Sequence, residues 1–170
     1  MLVAWVWQHQ WSADAPVASA ATVAYVGNAT CLECHPAQGA QWQQSNHAKS
    51  MALATAQTVL GNFSDAEFRH QGITSRFFRR GETYVVRTDG PDGKLADFEI
   101  AYTLGVAPLQ QYLIALPGGR LQTLQVAWDD VDKRWFHLQP TEKTPPGDVL
   151  HWSGHYQTAN TMCIECHTTG

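Results

Sequence analysis

Thr74-Ser75-Arg76-Phe77-Phe78-Arg79, then Gly81-Glu82, then Thr83-Tyr84-Val85-Val86-Arg87-Thr88 is the stretch from which the fold is read. Both arms are rich in β-branched and aromatic residues, which suit a pleated, half-buried surface, and the glycine between them marks a tight turn. This is a β-hairpin. Downstream, Asp89-Gly90-Pro91-Asp92-Gly93 is dense in turn residues, and Leu95 to Leu104 reads as the next strand. Gln110 to Leu116 and Arg120 to Trp128 flank Pro117-Gly118-Gly119, and Arg134 to Leu138 adds a last edge. The centre of the chain, 72–139, is thus expected to be an antiparallel meander, and it holds no cysteine.

Working outward, one pattern appears on both sides of this centre: Cys31-Leu32-Glu33-Cys34-His35 and Cys163-Ile164-Glu165-Cys166-His167, which together use all 4 cysteines. In such a run the two thiols can bond to the vinyl groups of a haem while the histidine ligates the iron. A thioredoxin-like pair would need a single reactive Cys-x-x-Cys at the mouth of a βαβ unit. Zinc knuckles are usually drawn from nearby sequence, and zinc, like a pair of disulfides, leaves the two matched histidines without a role. The motifs therefore predict two haem c groups, with Cys31, Cys34, Cys163 and Cys166 as attachment residues and His35 and His167 as proximal ligands.

Around the first motif, Pro36 suits a first helical position and the residues after it are mostly good helix formers, so a helix is expected from Pro36 to Gln57, ending before Gly61-Asn62. Beyond the proline-rich stretch Pro140 to Pro146, Leu150 to Cys163 returns to helix or loop. The fold class read from sequence is α+β: helical or loop haem-binding segments flanking a central antiparallel meander. The domain reading is a leader over 1–24 and a dihaem domain over 25–170, divided into a first haem segment 25–60, the β insert 72–139 and a second haem segment 147–170.

With 170 residues, 44% of them apolar and 11% aromatic, the chain suits a packed globule. The formal charge of −4 and the lack of a long basic run give no argument for nucleic acid. Arg76, Arg79 and Arg80 form the densest cationic patch, read either as a solvated strand face or as partners for haem propionates. Thioether attachment is normally completed outside the cytoplasm, so export is expected. Leu2 to Trp7 is a short apolar run and Ala18-Ser19-Ala20 resembles a cleavage site, yet no Lys or Arg precedes the run, as in an incomplete leader. The run is far shorter than the roughly 20 apolar residues needed to cross a bilayer, so no transmembrane segment is expected. Because only Thr168, Thr169 and Gly170 follow the second motif, the chain is expected to be the front of a longer multihaem polypeptide, with further haem domains and redox proteins as partners.

Six histidines remain to close the second face of an iron: His9, His47, His70, His137, His151 and His155. His47 stands 12 residues beyond His35, about 18 Å along an unbroken helix. That is too far to share an iron with His35, so His47 is assigned to a neighbouring haem. His151 and His155 would share one helical face. Met51 could replace His47 or simply pack, and Trp42, Trp152 and Tyr156 could lie against porphyrin or form core.

Several blocks resemble the large multihaem cytochromes c of the cytochrome c-554/c-prime-like class. These are Tyr25-Val26-Gly27 through His35, then Trp42, Ser45, His47 and Met51, Gly72 to Arg80, Thr88 to Gly93, Tyr102 to Val106, Pro108 to Leu113 and Leu150-His151-Trp152. The resemblance implies axial ligation by His47 and His151, makes His137 a further candidate, and leaves His155 without a counterpart. Relatives with this middle segment often carry additional haem motifs and tetratricopeptide repeats. The implied function is electron transfer by covalently bound haem. The alternative is a multihaem oxidoreductase acting on nitrite- or hydroxylamine-type substrates at an open iron, and a third reading is a redox-reporting scaffold.

Overall fold

The computed structural model describes residues 26–164. The leader, His9, Cys166 and His167 lie outside the described residues. The α+β expectation is overturned, because the chain is mostly β, with 39% strand and 18% helix, built around a nearly closed antiparallel barrel-like sheet.

The described helices are short: α1 (Asn28–Leu32), α2 (Pro36–Gln44) and α3 (Ala159–Met162). The strands are β1 (Met51–Leu53), β2 (Ala66–His70), β3 (Ile73–Arg80), β4 (Thr83–Asp89), β5 (Leu95–Leu104), β6 (Leu109–Leu116), β7 (Arg120–Thr123), β8 (Val126–Asp129) and β9 (Arg134–His137). Their order is β2-β3-β4-β5-β6-β8-β9, with β1 on β5 and β7 on β6. The hairpin read at 73–89 is present, with Arg80 opposite Thr83 and Phe77 opposite Val86. The expected strand from Arg120 to Trp128 is instead two strands, since the chain leaves β6 after Thr123 and rejoins it at Leu109–Gln110 through β8.

Two local events separate the real fold from the expected one. The first lies after α2, where Ser45 takes an extended backbone (φ −71°, ψ 154°), its hydroxyl donates to Trp42 O at 2.6 Å, and Ala48 N donates to Ser45 Oγ at 3.2 Å. A serine side chain offering the backbone alternative hydrogen bonds ends the helix at Gln44 instead of Gln57. Met51, Ala52 and Leu53, read as helical, are then captured as an edge strand opposite Leu104, Thr103 and Tyr102. The second is a register shift between Ile100 and Tyr102 on β5, where Ala101 O accepts from Ala54 N at 3.0 Å. Bulges of this kind bend a strand and increase its twist. As a result β5 pairs with β4 along its first half and with β6 and β1 along its second, so the sheet curls.

An aromatic hub fills the barrel. Phe63 packs edge-on against Phe77, Tyr84, Tyr112 and Trp135 at centroid distances of 5.0–5.7 Å, and Phe77 stacks on Trp135 at 3.6 Å. Rings meeting edge to face place a positive rim on a negative face, adding to the burial of their area. Phe63 comes from the loop between β1 and β2, and buried polar groups hold that loop in place. Gln110 accepts from Leu60 N at 2.8 Å and donates to Thr58 O at 2.9 Å, while Tyr112 Oη accepts from Gly61 N at 2.9 Å and donates to Gln110 at 2.8 Å. Burial holds the Tyr112 phenol pKa well above its ordinary value. Gly61 is required at this approach, because a Cβ there would lie 2.5 Å from Tyr112 Oη and 2.8 Å from the Trp135 ring.

Candidate haem-attachment site

The first motif begins in the last two residues of α1 and ends at His35, directly before α2. His35 N donates to Cys31 O at 3.0 Å and Gly39 N donates to His35 O at 3.0 Å, so one helical wrap sets the histidine back over the first cysteine. Pro36 at the start of α2 has no N–H to leave unpaired, which allows the helix to begin directly after the ligand. The two helices pack closely because residue 39 is glycine: a Cβ there would run into the Leu32 side chain. Cys31 and Cys34 are exposed free thiols, and among the described residues no hydrogen bond engages the His35 ring. Cys31, Leu32, His35, Gln38 and Trp42 line one cavity of about 340 Å³ beside the motif.

These features fit a covalently held haem. Both sulfurs are presented to solvent on one turn, an uncommitted imidazole follows them, and an indole and a leucine offer apolar surface to a porphyrin face.

The second motif is described only at its beginning. Cys163 caps α3, with its N–H on Ala159 O at 3.0 Å. The barrel wall positions that helix: Leu121 N donates to Asn160 Oδ1 at 2.7 Å, Asn160 Nδ2 donates to Gly119 O at 3.2 Å, and Gln122 donates to Gly154 O while accepting from Thr158. Cys163 and Ile164 pack on Leu104, Leu113 and Ala159, and Met51 and Tyr102 join the same cluster.

The remaining histidines fall into three settings. His47 is exposed on the turn between α2 and β1, four residues before Met51, so its chain position leads into the cluster that holds Cys163. The argument from an unbroken helix does not survive the end of α2 at Gln44. His151 is 3% exposed and committed at both nitrogens, with Nε2 3.1 Å from Asp89 Oδ2 and Nδ1 2.7 Å from Ser153 Oγ. The segment takes the loop form at His151, which lies in a bend, so it does not share a helical face with His155, which is exposed. The third setting is the barrel seam, where His70 and His137 stack at 4.1 Å.

Sequence reasoning missed the Asp89–His151 pair. Burial works to raise the Asp89 pKa, and the hydrogen bonds from His151 and Thr88 overcome it, so the carboxyl sits below its ordinary value. Trp152 belongs to the same assembly, donating from Nε1 to Asp89 O at 2.7 Å and meeting Phe98 edge-on at 4.8 Å. It is a core residue, whereas Tyr156 is exposed. The arginine patch is a solvated face: Arg76 pairs with Asp65 at 2.7 Å, Arg79 with Glu82 at 3.1 Å and Arg80 with Asp97 at 2.6 Å.

An exposed Cys-x-x-Cys-His turn against an apolar cavity is the attachment geometry of a c-type cytochrome. Residues 30–71 match the family model described as "Cytochrome c554 and c-prime", a span that contains the first motif, His47 and Met51. The match supports a c-type cytochrome carrying covalently bound haem. Neither the curated proteins nor the solved structures gave a match. Among the described residues no helix is long and apolar enough to cross a membrane.

Proposed function

We propose that this chain is an electron-transfer segment of an exported, periplasmic or extracellular multihaem cytochrome c that exchanges electrons with redox partner proteins. Cys31 and Cys34 hold one haem with His35 as its proximal ligand, and Cys163, Cys166 and His167 hold a second. His47 serves as an axial ligand to the second. Bound haem supplies a one-electron iron couple, and the protein sets its behaviour through axial ligands, burial and porphyrin contacts. His35 is fixed by the helical wrap on Cys31, Trp42 excludes water from one face of the first cavity, and α3 anchors Cys163 to β7.

The observation that carries this reading is the first motif: two exposed thiols and an unengaged imidazole on one turn, inside the segment that matches the family. Beyond Cys31 and His35, the lining of its cavity is Asn28, Leu32, Gln38, Gly39 and Trp42, which supplies no acid–base group. This favours an electron relay over an enzyme, since catalysis at an open iron needs such groups beside it.

Intact-mass spectrometry of the chain matured in an exporting host with haem-attachment machinery tests the proposal. The expected result is an increment of two haems; an unmodified mass overturns it.

A further inference from the structure

A second cavity, of about 530 Å³, lies inside the barrel mouth, and no described cysteine lines it. Its walls come from β2, β3, β4, β8 and β9, and the proline-rich strap after β9 crosses over it. The strap is tied down on both sides, by Gln71 Nε2 donating to Glu142 O at 2.6 Å and Thr144 Oγ1 donating to Gln125 Oε1 at 3.3 Å. A concave space of this size with a few convergent polar groups is the usual form of a small-molecule site.

The lining has two characters. Ile73, Leu124, Val126 and Trp152 give an apolar wall, and His70, His137 and Lys143 give a polar one. Among them His137 supplies a donor and Lys143 a positive charge. His137 Nδ1 accepts from Gln139 N at 3.1 Å, so the proton of the neutral ring sits on Nε2. Burial and the adjacent His70 hold its pKa below the ordinary histidine value, which keeps the ring neutral and donating. His70 Nε2 is buried with no hydrogen-bond partner, an arrangement that costs free energy until a ligand or water satisfies it. Lys143 has no carboxylate partner among the described residues. The one carboxylate on the lining, Asp89, is engaged on one oxygen by His151 and on the other by Thr88, which in turn accepts from Ser75. A cationic ligand would find the one carboxylate already engaged on both oxygens, and a bare inorganic anion would leave the apolar wall unused.

We propose that the barrel mouth binds a small organic carboxylate, its anionic head held by His70, His137 and Lys143 and its apolar body laid on Ile73, Leu124, Val126 and Trp152.

Calorimetric titration of the full, haem-loaded chain with benzoate and phenylacetate, and with benzyl alcohol as the uncharged analogue, tests this. The carboxylates are expected to bind about tenfold more tightly than the alcohol, the usual advantage of a charge-assisted over a neutral hydrogen bond. Lys143→Met, at an exposed strap position, is expected to remove most of that preference, and Lys143→Arg to keep it. The Soret spectrum should not change on binding, which separates this site from an iron-bound anion. Equal affinity for benzoate and benzyl alcohol, no heat up to about 10 mM ligand, or a carboxylate preference unchanged in Lys143→Met overturns the proposal. These outcomes are independent of haem number.

Discussion

His70 of β2 and His137 of β9 stack ring on ring, 4.1 Å between centroids and 16° between planes, where the two ends of the barrel's strand path meet. Burial lowers the His137 pKa first and His70 lowers it further, so the folded state takes up a proton less readily than an unfolded chain at the ordinary value of 6.5. Stability from this group is complete above 6.5 and declines as pH falls through the lower folded value. Denaturant midpoints measured from about pH 8 to about pH 5 should fall for the native chain and fall less for His137→Phe. Parallel slopes would remove His137 as the cause.

Asp89 and His151 make a second pH-sensitive point, lower on the scale. Because the Asp89 pKa is depressed below 3.8, its contribution is complete above that value and is lost as pH falls through the folded one. His151→Ala leaves a buried carboxylate with Thr88 as its remaining side-chain partner, a loss of about 2–3 kcal/mol. Chemical denaturation at neutral pH measures it, and a change below about 0.5 kcal/mol would show that the pair contributes little.

Phe63 is a loop residue whose ring touches four others in the barrel interior. Phe63→Ala opens a cavity that four large rings cannot easily close, and should cost about 3–5 kcal/mol. Near-ultraviolet circular dichroism of the same variant should lose intensity, because Trp135 and Tyr112 lose a fixed neighbour.

Haem attachment and barrel stability should separate. Helices α1 and α2 pack on each other through Leu32 and Gly39 and contribute no buried residue to the barrel core. Cys31→Ala with Cys34→Ala should remove one haem increment by mass while the barrel unfolds at an unchanged temperature. Gly39→Val, which drives a side chain into Leu32, should lower haem occupancy at the first motif without changing barrel unfolding.

His47→Ala should leave both thioether attachments intact and convert one haem to a high-spin, ligand-accessible form. With Cys31→Ala and Cys34→Ala in the same chain, the high-spin signal should persist, because Met51 leads from His47 to the Cys163 cluster. Loss of that signal would assign His47 to the first motif instead.

The hairpin at 73–89 and the strand at Leu95–Leu104 were readable because alternation and turn glycines are local signals, and the structure keeps both. The segment Met51–Leu53 was not readable: its residues favour helix, and the gain that overrides them is pairing with Leu104, Thr103 and Tyr102 about fifty residues away. Ala66–His70, assigned to no element, becomes a strand for the same reason, by pairing with Ile73–Phe77. The site divides in the same way. Cys31, Cys34 and His35 announce themselves by spacing, while the pairing of His151 with Asp89 joins the tail after β9 to the end of β4, 62 residues earlier in the chain.

By itself, the sequence determined the Cys-x-x-Cys-His spacing and the local hairpins, because thiol spacing and strand alternation act over a few residues. Only the tertiary structure decided that the sheet curls, that His151 is bound to Asp89 and that His70 faces His137. Those outcomes depend on a bulge at Ala101 and on burial, and both are set by contacts between residues far apart in the chain.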